Sequence, residues 1–155
     1  MVRQRRAFTV IELILIVVFI GAFAAISIPR LNFAIISRNK ADVVARKIVT
    51  DLRRTRRLAI SNAATNTFGF ELRMVVPAPY TSYKIADRTP PPSTVDTLTI
   101  DSSVSISCVG NSFFWFGPLG NLNTGSGTEL TVSAEGKSFT IAITPATGTV
   151  KCVEN

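Results

Sequence analysis

The sequence predicts an α+β protein, with one long N-terminal helix packed on an antiparallel β-sheet head. Three observations carry that expectation. Phe8 to Ile28 is an apolar run with a single ionisable residue, Glu12. Ala41, Val44, Ala45, Ile48, Leu52 and Ala59 then recur at helical spacing among lysines and arginines. Beyond Asn62 the texture changes to short runs rich in Phe, Val, Ile and Thr, broken by Gly, Pro and Asn.

The elements follow in order. Residues 1–7 form a basic leader carrying Arg3, Arg5 and Arg6. Residues 8–29 form an apolar helix. Its 21-residue core, Phe8 to Ile28, spans roughly 31 Å, enough for a bilayer's hydrocarbon layer. A secretory signal peptide has a shorter apolar region that ends at small residues, whereas Pro29-Arg30-Leu31 is a poor cleavage site, so the segment is expected to stay attached. The leader arginines place the N-terminus in the cytoplasm and everything after Pro29 across the membrane. Residues 30–62 form an amphipathic stem helix. Gly21 and Pro29 mark a bend or local unwinding, because glycine lowers helix propensity and proline removes a backbone donor.

Residues 63–155 form the β-rich head. Strands are expected over Thr67–Val76, Ser82–Ala86, Thr97–Ile100, Val104–Cys108, Ser112–Phe116, Thr128–Ser133, Ser138–Thr144 and Thr149–Val153. Arg88 to Ser93 contains Pro90-Pro91-Pro92 and reads as loop. The strands at 128–133 and 138–144 pair across Ala134-Glu135-Gly136-Lys137. The sheet's apolar face is expected to cover the stripe on the stem helix.

The net charge of +7 is unevenly spread. Arg30 to Arg57 carries nine basic residues against Asp42 and Asp51, while Leu58 to Asn155 carries five basic and seven acidic. The basic character belongs to the stem, which weakens any case for a nucleic-acid-binding head. Cys108 and Cys152 are the only cysteines and lie in the translocated part. An even count in an oxidising compartment reads as one disulfide, closing about 45 residues and contributing roughly 4 kcal/mol. The alternative is two unpaired thiols.

The chain has no histidine, no spaced acid pair and no phosphate-cradling loop ending in Lys-Ser/Thr. An enzyme, a cofactor and a metal centre are therefore not expected.

Arg5-Arg6-Ala7-Phe8-Thr9-Val10-Ile11-Glu12-Leu13 resembles the N-terminus of type IV pilins and pseudopilins. Phe116-Gly117-Pro118-Leu119-Gly120, Thr128-Glu129-Leu130-Thr131-Val132 and the closing Phe139–Ile143 and Gly148–Lys151 segments are similar to the GspH/FimT group of minor pseudopilins. The resemblance implies cleavage between Ala7 and Phe8 by a prepilin peptidase and N-methylation of Phe8. It makes Glu12 the fifth residue of the mature chain, and it matches Gly21 and Pro29 to positions where such helices unwind in filaments. The family usually has glycine where this chain has Ala7, and alanine is also small.

The implied role is a structural minor pseudopilin of a type II secretion pseudopilus. Such a protein is held in the bacterial inner membrane with its head in the periplasm. Its implied partners are other pilin-like subunits, the prepilin peptidase and an inner-membrane assembly platform. The alternative is a type IV pilus minor pilin involved in pilus assembly or DNA uptake. Some members of the group bind DNA through basic residues near the C-terminal Gly turn. Here that turn, Gly148-Thr149-Val150-Lys151, has one lysine and no arginine, which argues against nucleic acid.

Glu12 costs roughly 2.5–3.5 kcal/mol at the centre of a membrane helix. On a neighbouring subunit it can meet the Phe8 amine, and two unit charges about 4 Å apart gain roughly 4 kcal/mol at intermediate dielectric. A wrong axial register leaves the carboxylate unpaired, so Glu12 is expected to select the register.

Overall fold

The computed structural model describes residues 9–27 and 33–155. The chain divides into two units, one ending at Phe33 and one running from Ala34 to Asn155. The first contains helix α1 (Val10–Ser27). Ala7, Phe8 and Pro29 lie outside the described residues.

The second unit is built on helix α2 (Phe33–Ser61). Ala41, Ala45, Ile48, Leu52, Thr55 and Ala59 are all fully buried, at alternating steps of four and three. That spacing keeps one narrow stripe against a flat partner. Thr55 is tolerated in the stripe because its hydroxyl donates to the Asp51 carbonyl at 2.7 Å. The chain leaves α2 through Asn66, which is 5% exposed. The Asn66 side chain accepts from the Phe68 and Gly69 amides and donates to Asp87 at 2.7 Å. One amide side chain thus fixes how the helix hands over to the first strand.

Eight strands follow: β1 (Phe70–Met74), β2 (Ser82–Asp87), β3 (Ser93–Thr99), β4 (Ser105–Val109), β5 (Phe113–Phe116), β6 (Glu129–Ala134), β7 (Lys137–Thr144) and β8 (Thr149–Glu154). All pairings are antiparallel. The expected single sheet is two four-stranded sheets, ordered β3-β2-β1-β5 and β4-β6-β7-β8. The chain crosses between the sheets three times, from β3 to β4, from β4 to β5 and from β5 to β6. Both sheets turn their apolar faces to α2. Leu72, Met74, Tyr83 and Phe114 from the first join Leu130, Val132, Ile141 and Ile143 from the second in one core with the helix stripe.

All eight expected strands are present, with shifted ends. β1 is shorter than expected because Asn66 to Gly69 is committed to the turn. β3 starts directly after the three prolines, four residues before its expected start at Thr97. Most of its residues are exposed, so its first half carries no apolar alternation. The β6–β7 hairpin has the expected partners, with Ala134 opposite Lys137. Its two loop residues, Glu135 (φ 46°) and Gly136 (φ 76°), both have positive φ, which matches the twist of a tight hairpin.

Candidate assembly surface

α1 is apolar around its whole circumference. Ile11, Leu13, Ile14, Val17, Val18, Phe19 and Ile20 are all exposed, although they lie on every side of the helix. A helix without a polar face requires apolar surroundings. Its described length of 18 residues corresponds to about 27 Å, below the roughly 30 Å of a bilayer core. Among the described residues, no helix is long and apolar enough to cross a membrane.

Glu12 lies in the first turn of α1 and is exposed. The Glu12 amide donates to the Thr9 carbonyl at 3.1 Å and makes a long contact, 3.4 Å, with the Thr9 hydroxyl. Thr9 therefore caps the helix and Glu12 occupies the third helical position, the spacing of a capping box. A carboxylate there also suits the positive end of the helix dipole. Glu12 forms no ion pair among the described residues. Gly21 is helical, and α1 continues through it to Ser27. A Cβ at Gly21 would meet nothing within 4 Å, so close packing within this chain does not require a glycine there.

The head's glycine motifs are structural. Arg56 donates from Nε to the Gly120 carbonyl at 3.0 Å. Gly148 packs so closely on that carbonyl that a Cβ would collide with it. One arginine of α2 thus joins the Gly117–Gly120 turn to the turn before β8. Neighbouring arginines act in the same way. Arg53 donates to the Val150 carbonyl at 3.2 Å, and Arg54 pairs with Asp96 of β3 at 2.8 Å. The Arg54 contact holds the Asp96 carboxyl below the usual carboxylate range. Lys40 pairs with Asp101 at 3.0 Å. The basic stem therefore serves partly as a set of tethers from helix to head.

The expected Cys108–Cys152 disulfide is not formed, and both thiols are free. The register gives the reason. Cys108 lies opposite Leu130, Leu130 opposite Ile141, and Ile141 opposite Cys152. The cysteines end one row across the second sheet, about 14 Å apart at three strand spacings. A disulfide needs Cα atoms within about 7 Å. Burial raises the pKa of both thiols.

Two polar constellations had no signal in the sequence. Asp51, 6% exposed, accepts a 2.6 Å hydrogen bond from the Tyr83 hydroxyl, which is buried under α2. Burial and the Asp51 contact drive the Tyr83 pKa well above its ordinary value. On the opposite face of the first sheet, Glu71 is 4% exposed and held by Arg73 and Arg88. Tyr83 and Arg88 reach these acids from elsewhere in the sequence, and although Arg73 is only two residues from Glu71 on β1, the spacing alone does not show that Glu71 is buried. Among the described residues, no group of His, Cys, Asp and Glu could hold a metal ion.

No family model and no curated protein matches the chain. Among solved structures, the chain is similar to the minor pseudopilin EpsH from the type 2 secretion system of Vibrio cholerae. The TM-score is 0.56 at 9% sequence identity, over 74% of this chain and 97% of that one. At that identity the likeness concerns architecture: the chain has a pilin-like α+β fold, the fold of a minor pseudopilin.

Proposed function

We propose that this chain is a structural minor pseudopilin of a type II secretion pseudopilus, and not an enzyme. A prepilin peptidase removes Met1 to Ala7 and methylates the new Phe8 amine. The mature chain is held in the inner membrane by residues 8–29, with the head in the periplasm. An inner-membrane assembly platform then inserts it among other pilin-like subunits. Helix packing supplies affinity, and Glu12 selects the register by meeting the Phe8 amine of a neighbour. Release of helix around Gly21 and Pro29 lets the apolar segment adjust to its neighbours.

One observation carries the reading. A helix apolar on every side, with a lone acid in its first turn, belongs to the same chain as a head with a minor-pseudopilin fold. A membrane anchor alone accounts for the apolar surface but gives the acid no partner. The test is the intact mass of the protein expressed with and without a prepilin peptidase. The expected result is loss of residues 1–7 and gain of one methyl group. A mature chain that still begins at Met1 would refute the reading.

A further inference from the structure

The solvent face of the first sheet carries more cations than its carboxylate can neutralise. The register places Thr97, Lys84, Arg73 and Phe113 in one row across β3, β2, β1 and β5. The next row is Thr94, Ala86, Glu71 and Trp115. Glu71 is the acceptor at the centre, and it is already used. Arg73 grips it bidentately, Nε to Oε1 at 2.8 Å and NH2 to Oε2 at 3.1 Å, and Arg88 adds a third contact at 3.1 Å.

Lys84 stands directly opposite Arg73 and has no ion pair among the described residues. Like charges facing each other across a strand pair are unfavourable. Ala86 of β2, between Lys84 and Arg88 just past the strand's end, is small and forms the floor of a groove of about 280 Å³. Ser93 and Thr94 on β3 line the far wall. The groove therefore offers lysine, guanidinium and hydroxyl donors around one carboxylate, Glu71, that both guanidinium groups already hold.

We infer that this groove is a docking site for an acidic segment of a partner protein, with a carboxylate seated over Ala86 between Lys84 and Arg88. The inference goes beyond the filament reading and does not depend on it. Two features favour carboxylate over nucleic acid. The groove's own arginine already shows two-point recognition of a carboxylate at Glu71. The aromatic rings beside it are covered, Arg73 lying 5.1 Å from the Phe113 centroid and Arg88 4.6 Å from that of Trp115. Single-strand nucleic-acid sites rely on open rings for base stacking.

Trp115 is the only tryptophan in the chain, so it reports on the groove directly. The experiment titrates the full chain in detergent micelles with a short polyglutamate peptide and follows tryptophan emission. Inorganic phosphate and a single-stranded DNA oligonucleotide serve as comparison probes. The expected result is a saturable change with polyglutamate that weakens with added salt. Lys84→Ala should weaken binding by about tenfold, the effect of losing one charge-assisted contact. Ala86→Leu should also weaken it, by filling the floor without altering charge. Absence of saturation, equal or tighter binding of phosphate or DNA, or wild-type affinity in Lys84→Ala would each overturn the proposal. Lys84 is a half-buried surface residue, so its variant tests the site even if Ala86→Leu does not fold.

Discussion

Each helix carries an acid beside apolar neighbours, Glu12 on α1 and Asp51 on α2, and the two acids are treated differently. Asp51 is taken into the core and satisfied by the Tyr83 hydroxyl of the same chain. Glu12 remains on an apolar surface with no ion pair among the described residues. An acid satisfied internally ties helix to sheet and belongs to the fold. In the proposed function, an acid left outward on an apolar helix serves assembly. The difference lies in who supplies the partner, and mutations can separate the two cases.

The largest expected effect is on Glu12. Glu12→Ala should insert into membranes normally and be nearly absent from filaments, because the proposed pairing with a neighbour's Phe8 amine is worth roughly 4 kcal/mol at intermediate dielectric. Immunoblotting of sheared filaments against membrane fractions measures it. The head's unfolding should be unchanged. Wild-type incorporation of this variant would remove the register argument.

A second contrast compares leucines on the two helices. Leu52 is fully buried in the α2 stripe, whereas Leu15 on α1 is 53% exposed. Leu52→Ala should destabilise the head by about 2–5 kcal/mol, the range for buried leucines. Leu15→Ala should leave denaturant unfolding of the head unchanged. Equal losses from both variants would mean that α1 contributes to the head's core.

The Asp51–Tyr83 bond should have a smaller effect. Tyr83→Phe keeps the ring and strands a buried carboxylate, a cost of about 1–3 kcal/mol in chemical denaturation. The bond also has a pH signature. The Tyr83 pKa is raised above its ordinary 10.0 by burial and by Asp51, so the folded chain resists an ionisation that the unfolded chain accepts. Its contribution is complete below pH 10 and is lost as pH rises beyond it. Tyr83→Phe should flatten that alkaline loss. At the other end, hydrogen bonds from Ser103 and then Lys40 pull Asp101 down to about 2, from an ordinary 3.8. Its contribution is present above pH 3.8 and fades as pH falls toward 2, and the group's exposure keeps it small.

The comparison also shows which features were legible in the sequence. The α2 stripe and most of the strands could be read because their inward positions are largely apolar and the period is local. The first half of β3 could not be read, because an exposed edge strand has no apolar face to alternate. Asp51 and Glu71 look like ordinary surface acids until Tyr83 and Arg88 are brought to them from distant parts of the chain, and Arg73, two residues from Glu71 on β1, closes on the same carboxylate. Glu12 was conspicuous as the one charge in the apolar run, and its proposed partner at Phe8 lies outside the described residues. The division into two sheets was hidden because alternation shows which face is buried and not which strands are neighbours.

Cys108 and Cys152 give the smallest expected effect, and the clearest case of counting residues against placing them. Parity alone predicts a bridge contributing roughly 4 kcal/mol. The register puts β6 and β7 between the two cysteines, so no rotamer change can join them within one folded chain. Thiol titration of protein unfolded without reductant should find both sulfhydryls. Reductant, or the double variant Cys108→Ser and Cys152→Ser, should not produce the loss of roughly 4 kcal/mol that removing a bridge would cause. Of the two sites, Cys108→Ser should matter slightly more, because Cys108 packs against the core and Cys152 is exposed. A reductant-sensitive unfolding midpoint in protein that runs as a monomer without reductant would place Cys108 beside Cys152, and it would overturn the strand order of the second sheet along with the free thiols.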